Sequence, residues 1–422
     1  MQVTEGFDVF PLTFNSQGAL EQPQALDDMI DRAKSATDVI FVAHGFRNDV
    51  DEATHLYSSF LKTFRAHLSR PELRAVANRK FVVAAVYWPS KPFRETFRDQ
   101  DGTRTRGLRA PGEEMAEARA QLEDLKKHDA TPAQRRKLQK AIDLLPTLEG
   151  NLAAQDEFVA LVLSVLDDAA VDKTEGLPQL RRRPGSELLS RLSDPAPAGT
   201  RGIGDVFGSI AGGVGHFLNL TTWYVMKDRS GAVGATGVAA AVRALHASQS
   251  AIRIHLVGHS LGGRLMAACA KALCDAPRVE PASLMLLEAA FSHFGFSPDN
   301  GRGNAGFFRD VVVKRIVKGP FVSTFSAEDT VVGKAYSIMS RLAGDNTREI
   351  GDAFDEFGGI GRNGPQKTEE VASTRLRPAG TAYEYKEGVI NNLDGSGGLI
   401  KDHGDVTNEA VTYAFASAVA RT

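Results

Sequence analysis

With 42% hydrophobic and 24% charged side chains over 422 residues, the chain has an ordinary globular composition, which excludes a disordered or fibrous protein. Its 50 Lys and Arg nearly cancel its 52 Asp and Glu, so no net field concentrates a polyanion, and nucleic acid is not an expected partner. The length exceeds the roughly 250 to 300 residues at which a single core stops growing, so one core carrying an insertion is expected.

Near the start, Asp38 to Ala43 is an apolar run rich in β-branched residues that breaks at His44-Gly45, as a buried strand ending in a tight loop does. A helical pattern follows from Asp51 to Leu68, and a second apolar run, Phe81 to Tyr87, stops at Trp88-Pro89-Ser90. From Pro92 to about Tyr224 the alternation ceases. Gly112 to His128 and Thr131 to Leu145 are charged and lack β-branched runs, with Thr131-Pro132 supplying an N-cap and a proline at the first helical position. Asn151 to Leu166 places Phe158, Leu161, Val162 and Val165 at helical spacing, and the Arg, Pro and Gly stretch Arg181 to Arg201 reads as loop. Residues 95–224 are therefore expected to form a mostly helical cap inserted into a core made of residues 1–94 and 225–422.

The alternation resumes with a strand from Ile252 to Val257, a helix from Leu261 to Leu273, strands at Ser283 to Leu287 and Pro320 to Phe325, a helix at Val331 to Arg341, a weaker strand at Thr381 to Ile390 and a final helix at Val406 to Val419. Gly344 to Pro378 reads as irregular. Strands alternating with helices predict an α/β fold with a doubly wound, mainly parallel sheet. Two cysteines, Cys269 and Cys274, lie five apart on one expected helix, face different sides, and read as free thiols in a reducing compartment. The start, Met1-Gln2-Val3-Thr4-Glu5, has no basic segment followed by an apolar one, so cytoplasm is the expected location, although signal-independent export leaves no such mark.

One motif carries chemistry. Gly258-His259-Ser260-Leu261-Gly262 fits the G-x-S-x-G elbow, in which a sharp strand-to-helix turn lifts a serine hydroxyl above the sheet and the flanking glycines let two backbones pass closely. A strand runs straight into it and a small-residue helix straight out. The oxyanion of such a reaction needs two N–H groups, expected here from Leu261 and from Phe46, with Gly45 allowing close approach and His44 ordering the loop.

In this motif's chain order the acid and then the histidine follow the serine. Of ten histidines only His293 and His403 lie after Ser260, and His403, in the loop Asp402-His403-Gly404-Asp405 before the last helix, is the expected general base. The carboxylate that orients it is expected to be Asp329, just past the strand ending at Phe325, with Glu288 and Glu328 as alternatives. Asp329 also precedes a helix and can cap it.

Together these residues resemble the α/β-hydrolase superfamily, and more narrowly its bacterial branch of uncharacterised function marked by a His-Gly-Phe loop and a Trp-Pro-Ser strand end. The matching positions are His44-Gly45-Phe46-Arg47-Asn48, Trp88-Pro89-Ser90, Tyr224 with Asp228-Arg229, and the elbow at Ser260; they span about residues 38 to 90 and 222 to 403. The branch makes the step from Trp-Pro-Ser to the Tyr and Asp-Arg motif in a short segment, whereas this chain spends 224 - 90 = 134 positions on it. The resemblance implies hydrolysis of an ester, thioester or amide without metal or organic cofactor, through an acyl-enzyme on Ser260. A carboxylic-ester hydrolase acting on a small-molecule or lipid ester is the leading expectation. A serine peptidase or amidase, and a non-catalytic interaction module on the same scaffold, are the alternatives.

From Gly202 to Met226 the only formally charged residue is Asp205, and the run holds Phe217, Leu218 and Trp223 among many glycines. It is too polar in places for a membrane span. Burial beneath the cap is one reading; a lid whose Phe217, Leu218 and Trp223 line an acyl pocket, with transient contact to a lipid surface, is the other.

Overall fold

A computed structural model describes residues 2–90, 111–128, 130–166, 172–193, 210–343 and 357–422. Nine strands form one sheet: β1 (Gln2–Thr4), β2 (Phe7–Thr13), β3 (Asp38–Ala43), β4 (Phe81–Tyr87), β5 (Arg253–His259), β6 (Ser283–Leu287), β7 (Phe321–Phe325), β8 (Val371–Arg375) and β9 (Ile390–Asp394). Their spatial order is β1-β2-β4-β3-β5-β6-β7-β9-β8, and every pairing is parallel except β1 with β2. The helices are α1 (Pro23–Ala33), α2 (Val50–His67), α3 (Pro111–His128), α4 (Pro132–Leu144), α5 (Leu152–Leu163), α6 (Leu177–Leu180), α7 (Gly185–Ser193), α8 (Ile210–Ala232), α9 (Ala239–Ser248), α10 (Leu261–Leu273), α11 (Arg309–Val313), α12 (Thr330–Ala343), α13 (Ile360–Asn363) and α14 (Glu409–Val419).

The central strands are buried on both faces, and their side chains sort by a period of two. Val39, Phe41 and Ala43 of β3 join one apolar layer with α10, while Ile40 and Val42 join the opposite layer with α2 and α14. The first layer continues without a break into the inserted helices, taking in Leu122, Leu138, Phe158, Leu188, Val214 and Phe217. The insertion thus shares the sheet's core.

Several sequence expectations are corrected. The boundary at residue 224/225 falls inside α8, which continues through a π-helical segment at Val233–Val238 into α9, so helix and core are joined by an unbroken rod. Arg181 to Arg201 is not all loop: Gly185–Ser193 is helical because Leu188 and Leu189 are fully buried, while 194–201 lies outside the described residues. Thr381 to Ile390 is not a strand. Its aromatic residues are used in a loop, where Tyr383 Oη accepts from Arg377 N–H at 2.8 Å and Tyr385 donates to the Ala414 carbonyl at 2.7 Å, and β9 begins only at Ile390. Within the expected irregular stretch 344–378, β8 forms an exposed edge strand; 344–356 lies outside the described residues. Cys269 and Cys274 are both free. Among the described residues no helix is long and apolar enough to cross a membrane.

The amino-terminal edge of the sheet is fastened by a buried polar knot. Asp38, fully buried at the start of β3, accepts from Arg79 Nε at 2.8 Å and from His255 Nε2 at 2.9 Å, and the other nitrogen of His255 meets Ser283 Oγ at 2.8 Å. Burial pushes the Asp38 carboxyl up, but the bonds from His255 and Arg79 outweigh it and hold it well below its ordinary value. A carboxyl with a lowered folded pKa stabilises above its unfolded value, about 3.9, and loses that contribution as pH falls through the folded value. Replacing Arg79 by Met strips one partner from a buried charge, and should cost about 3–5 kcal/mol near neutrality. Denaturant unfolding of both proteins is expected to show this gap above about pH 5 and to show it closing in acid; a gap independent of pH would contradict the assignment.

Candidate active site

Three strand ends and one loop converge at the carboxyl edge of the sheet, where open α/β sheets hold their ligands. β5 delivers Ser260 at the centre. The residue adopts φ 57° and ψ −123°, a region that side chains other than glycine rarely occupy. Three backbone bonds hold it there: its N–H donates to Leu287 O, and its carbonyl accepts from Gly263 and Ala290 N–H, each at 3.0 Å. A Cβ on Gly258 would collide with the Gly262 carbonyl, and one on Gly262 with the carbonyl oxygens of Ala43 and His44. The helix after the serine can therefore sit directly against the end of β3.

Hydrogen bonds link Ser260 to two distant segments. His403 Nε2 lies 2.8 Å from Ser260 Oγ across 143 positions, and His403 Nδ1 lies 2.8 Å from Asp329 Oδ2 across 74. Asp329 is fully buried, and its other oxygen accepts from Val332 N–H at 2.9 Å, so it also caps α12. The His403 loop is held by its own acids: Asp402 accepts from Gly404 N–H at 2.8 Å and Asp405 from Lys401 N–H at 3.1 Å. The geometry gives Nδ1 the proton toward Asp329 and leaves the Nε2 lone pair facing the serine hydroxyl.

His259 supports this histidine from below. Its ring stands 4.7 Å from the His403 ring, and its Nε2 donates to the His403 carbonyl at 2.7 Å. Burial, then the neighbouring His403, lower its pKa to about 3, so it stays neutral.

The His44-Gly45-Phe46 loop lies on the other side of the serine. A Cβ on Gly45 would stand 2.7 Å from Ser260 Cβ, so only glycine lets the loop approach this closely. His44 is a scaffold residue. Its ring stacks on Trp88 at 5.6 Å, its Nδ1 donates to Gly45 O at 3.0 Å, its carbonyl accepts from the Trp88 indole N–H at 3.0 Å, and burial lowers its pKa to about 4. Ser90 completes the clamp: its carbonyl accepts from Arg47 N–H at 3.0 Å, and its hydroxyl donates to Asn48 O at 2.9 Å. The Trp-Pro-Ser strand end thus pins the His-Gly-Phe loop, and Arg229 donates to Pro89 O. Leu261, the first residue of α10, brings one of the N–H groups that a helix amino terminus leaves without intrahelical partners.

Of the expected pocket residues, only Trp223 touches this region, meeting Phe46 edge to face at 5.8 Å. Phe217 and Leu218 are fully buried in the helix packing, with Phe217 against Phe158, because they lie on the face of α8 turned to the other inserted helices; they are corrected from pocket wall to core. Residues 202–209 of the expected lid lie outside the described residues.

Two further polar groups lie near the site: Glu288, read in the sequence as an alternative acid, and the Glu175–Lys227 pair, which the sequence did not suggest. Glu288, at the end of β6, is fully buried with φ 42°, and its carboxyl lies with those of Asp329 and the imidazole of His403 in one cluster whose nearest atoms are within 4.8 Å. Such a set could ligate a cation, yet Nδ1 and Oδ2 are bonded to each other, Nε2 faces a hydroxyl, and burial together with Asp329 pushes the Glu288 carboxyl well above its ordinary pKa, toward the neutral form that binds cations poorly. Farther out, Glu175 from the insertion forms a buried ion pair with Lys227 of α8; Tyr336 of α12 accepts from Lys227 at 2.6 Å and donates to Glu175 at 2.9 Å, and Ser292 N–H donates to Glu175 at 2.8 Å. Lys227 also lies over the Trp223 ring at 5.1 Å.

Comparison of the chain with protein-family models, with curated proteins and with solved structures finds no match.

Proposed function

We propose that the chain is a serine hydrolase of the α/β-hydrolase type, cleaving carboxylic esters through an acyl-enzyme on Ser260. The observation that supports this most directly is the hydrogen-bonded line from Ser260 through His403 to Asp329, ending at a strained turn against the Gly45 loop. His403 Nε2 takes the hydroxyl proton as Oγ attacks the ester carbonyl, and Asp329 steadies the imidazolium without accepting that proton. The N–H groups of Phe46 and Leu261 receive the oxyanion. The imidazolium then returns its proton to the departing alkoxide, and a water activated by the same nitrogen releases the acid.

Labelling with a serine-directed fluorophosphonate tests the nucleophile. Wild-type protein should label at Ser260, and Ser260→Ala should not label at all. Both Ser260→Ala and His403→Ala should lower kcat by on the order of 10⁴-fold or more while leaving the melting temperature close to wild type, as members of one catalytic unit do. Because the base works unprotonated, kcat/KM should fall as the solution is acidified. A folded Ser260→Ala protein with undiminished ester hydrolysis would sink the reading.

The Phe46 and Trp223 rings form an apolar wall beside the nucleophile loop, which favours an uncharged acyl or alkyl group. Each methylene buried there should add up to about 0.8 kcal/mol, or roughly fourfold, to kcat/KM. p-Nitrophenyl esters are therefore expected to improve from acetate through butyrate to hexanoate, and Trp223→Ala to flatten the series. Equal kcat/KM across the series in wild type would remove the apolar wall from the mechanism.

A further inference from the structure

The site holds two buried carboxyl groups, and the reaction above uses only one. Asp329 is engaged on both oxygens, by His403 and by Val332 N–H. Glu288 has a single weak side-chain contact, the Thr324 hydroxyl at 3.4 Å on Oε1, and Oε2 has no hydrogen-bond partner among the described residues. An acid this buried is rarely left unpartnered unless it serves the chemistry next to it. Its backbone is also strained: Glu288 has φ 42° at the end of β6, its carboxyl lies in one cluster with Asp329 and His403, and strain of this kind collects at functional sites.

We propose that Glu288 is a second acid of the site, a positioning residue placed beside Asp329 to take over the His403 Nδ1–H when position 329 lacks a carboxylate. This inference rests on the Ser260–His403–Asp329 reading and assigns a task to the one carboxyl that reading leaves unused. The groups facing Glu288 are Asp329 ahead of α12, His403, and the acids Asp402 and Asp405 of the same loop; three of the four are carboxyls, and burial first, then their repulsion, opposes a further negative charge. Removing the Asp329 carboxylate lifts the nearest part of that repulsion and frees the Nδ1–H that Asp329 holds. Glu288 can then lose its proton to solvent and accept from the imidazole.

The test compares kcat and its pH profile for Asp329→Asn, Asp329→Ala, Glu288→Gln and the double variant Asp329→Ala with Glu288→Gln. Asp329→Asn keeps the space filled and should lose roughly 10³- to 10⁴-fold. Asp329→Ala should retain at least about tenfold more activity than the double variant, since residues acting as one unit are non-additive. Its kcat should rise with pH through an ionisation that the double variant lacks, a signature that a purely structural Glu288 would not give. Should the alanine variants fold poorly, Asp329→Ser with and without Glu288→Gln gives the same comparison. Equal activity and coincident pH profiles in the paired variants, with Asp329→Asn still severely impaired, would overturn the role of Glu288 alone. Severe loss in Glu288→Gln with little in Asp329→Asn would overturn the Asp329 assignment and the proposal with it.

Discussion

The close approach of α10 to the end of β3 is the constraint on which the rest of the site depends. Gly262 lies under the carbonyl oxygens of Ala43 and His44, and Gly258 under the Gly262 carbonyl, so a side chain at either place would drive the helix away from the sheet. That contact sets Ser260 in a left-handed conformation no ordinary helix start would require, and it brings the Gly45 loop within van der Waals distance of the serine side chain. The strain is local and is offset by three backbone bonds, with Leu287 of β6, Ala290 beyond it and Gly263 of α10. Everything farther out, from the Trp88 clamp on His44 to the His259 bond under His403, fixes loops around this one turn.

The insertion is tied to the same region through charge. Glu175, Lys227, Tyr336 and Ser292 come from four segments that the chain order separates, and all are buried. A buried ion pair contributes little net stability compared with apolar packing, because desolvation offsets the attraction, but breaking it is costly. Its consequence here is placement: Lys227 is satisfied by Glu175 and by Tyr336, so the pair fastens the Glu175 loop to α8 and α12. Because Lys227 also underlies Trp223, the seating of the insertion and the position of the aromatic wall beside Phe46 are set by the same contacts.

Much of the central sheet was legible because its strands are buried on both faces and so read as continuous apolar runs: β3, β4 and β6 begin and end where their runs do. The outer strands were not, for particular reasons. β2 contains Pro11, which ordinarily argues against a strand, yet β1 covers only Phe7 to Val9 on that side, so Pro11 sits where no neighbour asks for its N–H. β9 reads Ile-Asn-Asn-Leu-Asp, and its buried Asn391 is tolerated because its side chain bonds the Phe321 and Lys386 carbonyls. β8 is an exposed edge with no hydrophobic alternation to find. For the site, the order of serine, acid and histidine along the chain pointed to the three residues that the fold brings within hydrogen-bond distance. The Glu175 to Lys227 pair had no such signal, since a single lysine just after an apolar run looks like a surface residue until the fold buries it.

Choosing between two acids from sequence is hard because both follow parallel strands, one position over in the sheet. What separates them is the direction of local donors. Asp329 stands at the start of a helix, where Val332 N–H and the helix dipole favour negative charge, and where the imidazole N–H arrives as a second donor. Glu288, just past a strand end, meets one hydroxyl and faces a carboxylate. Two carboxyls in one pocket cannot both be charged at low cost, so the environment divides them: the donors around Asp329 favour charge there, while burial and the neighbouring Asp329 push Glu288 toward its neutral form. Where α12 begins therefore decides which of the two carboxyls bonds the imidazole, and the other lies in the same cluster without that bond.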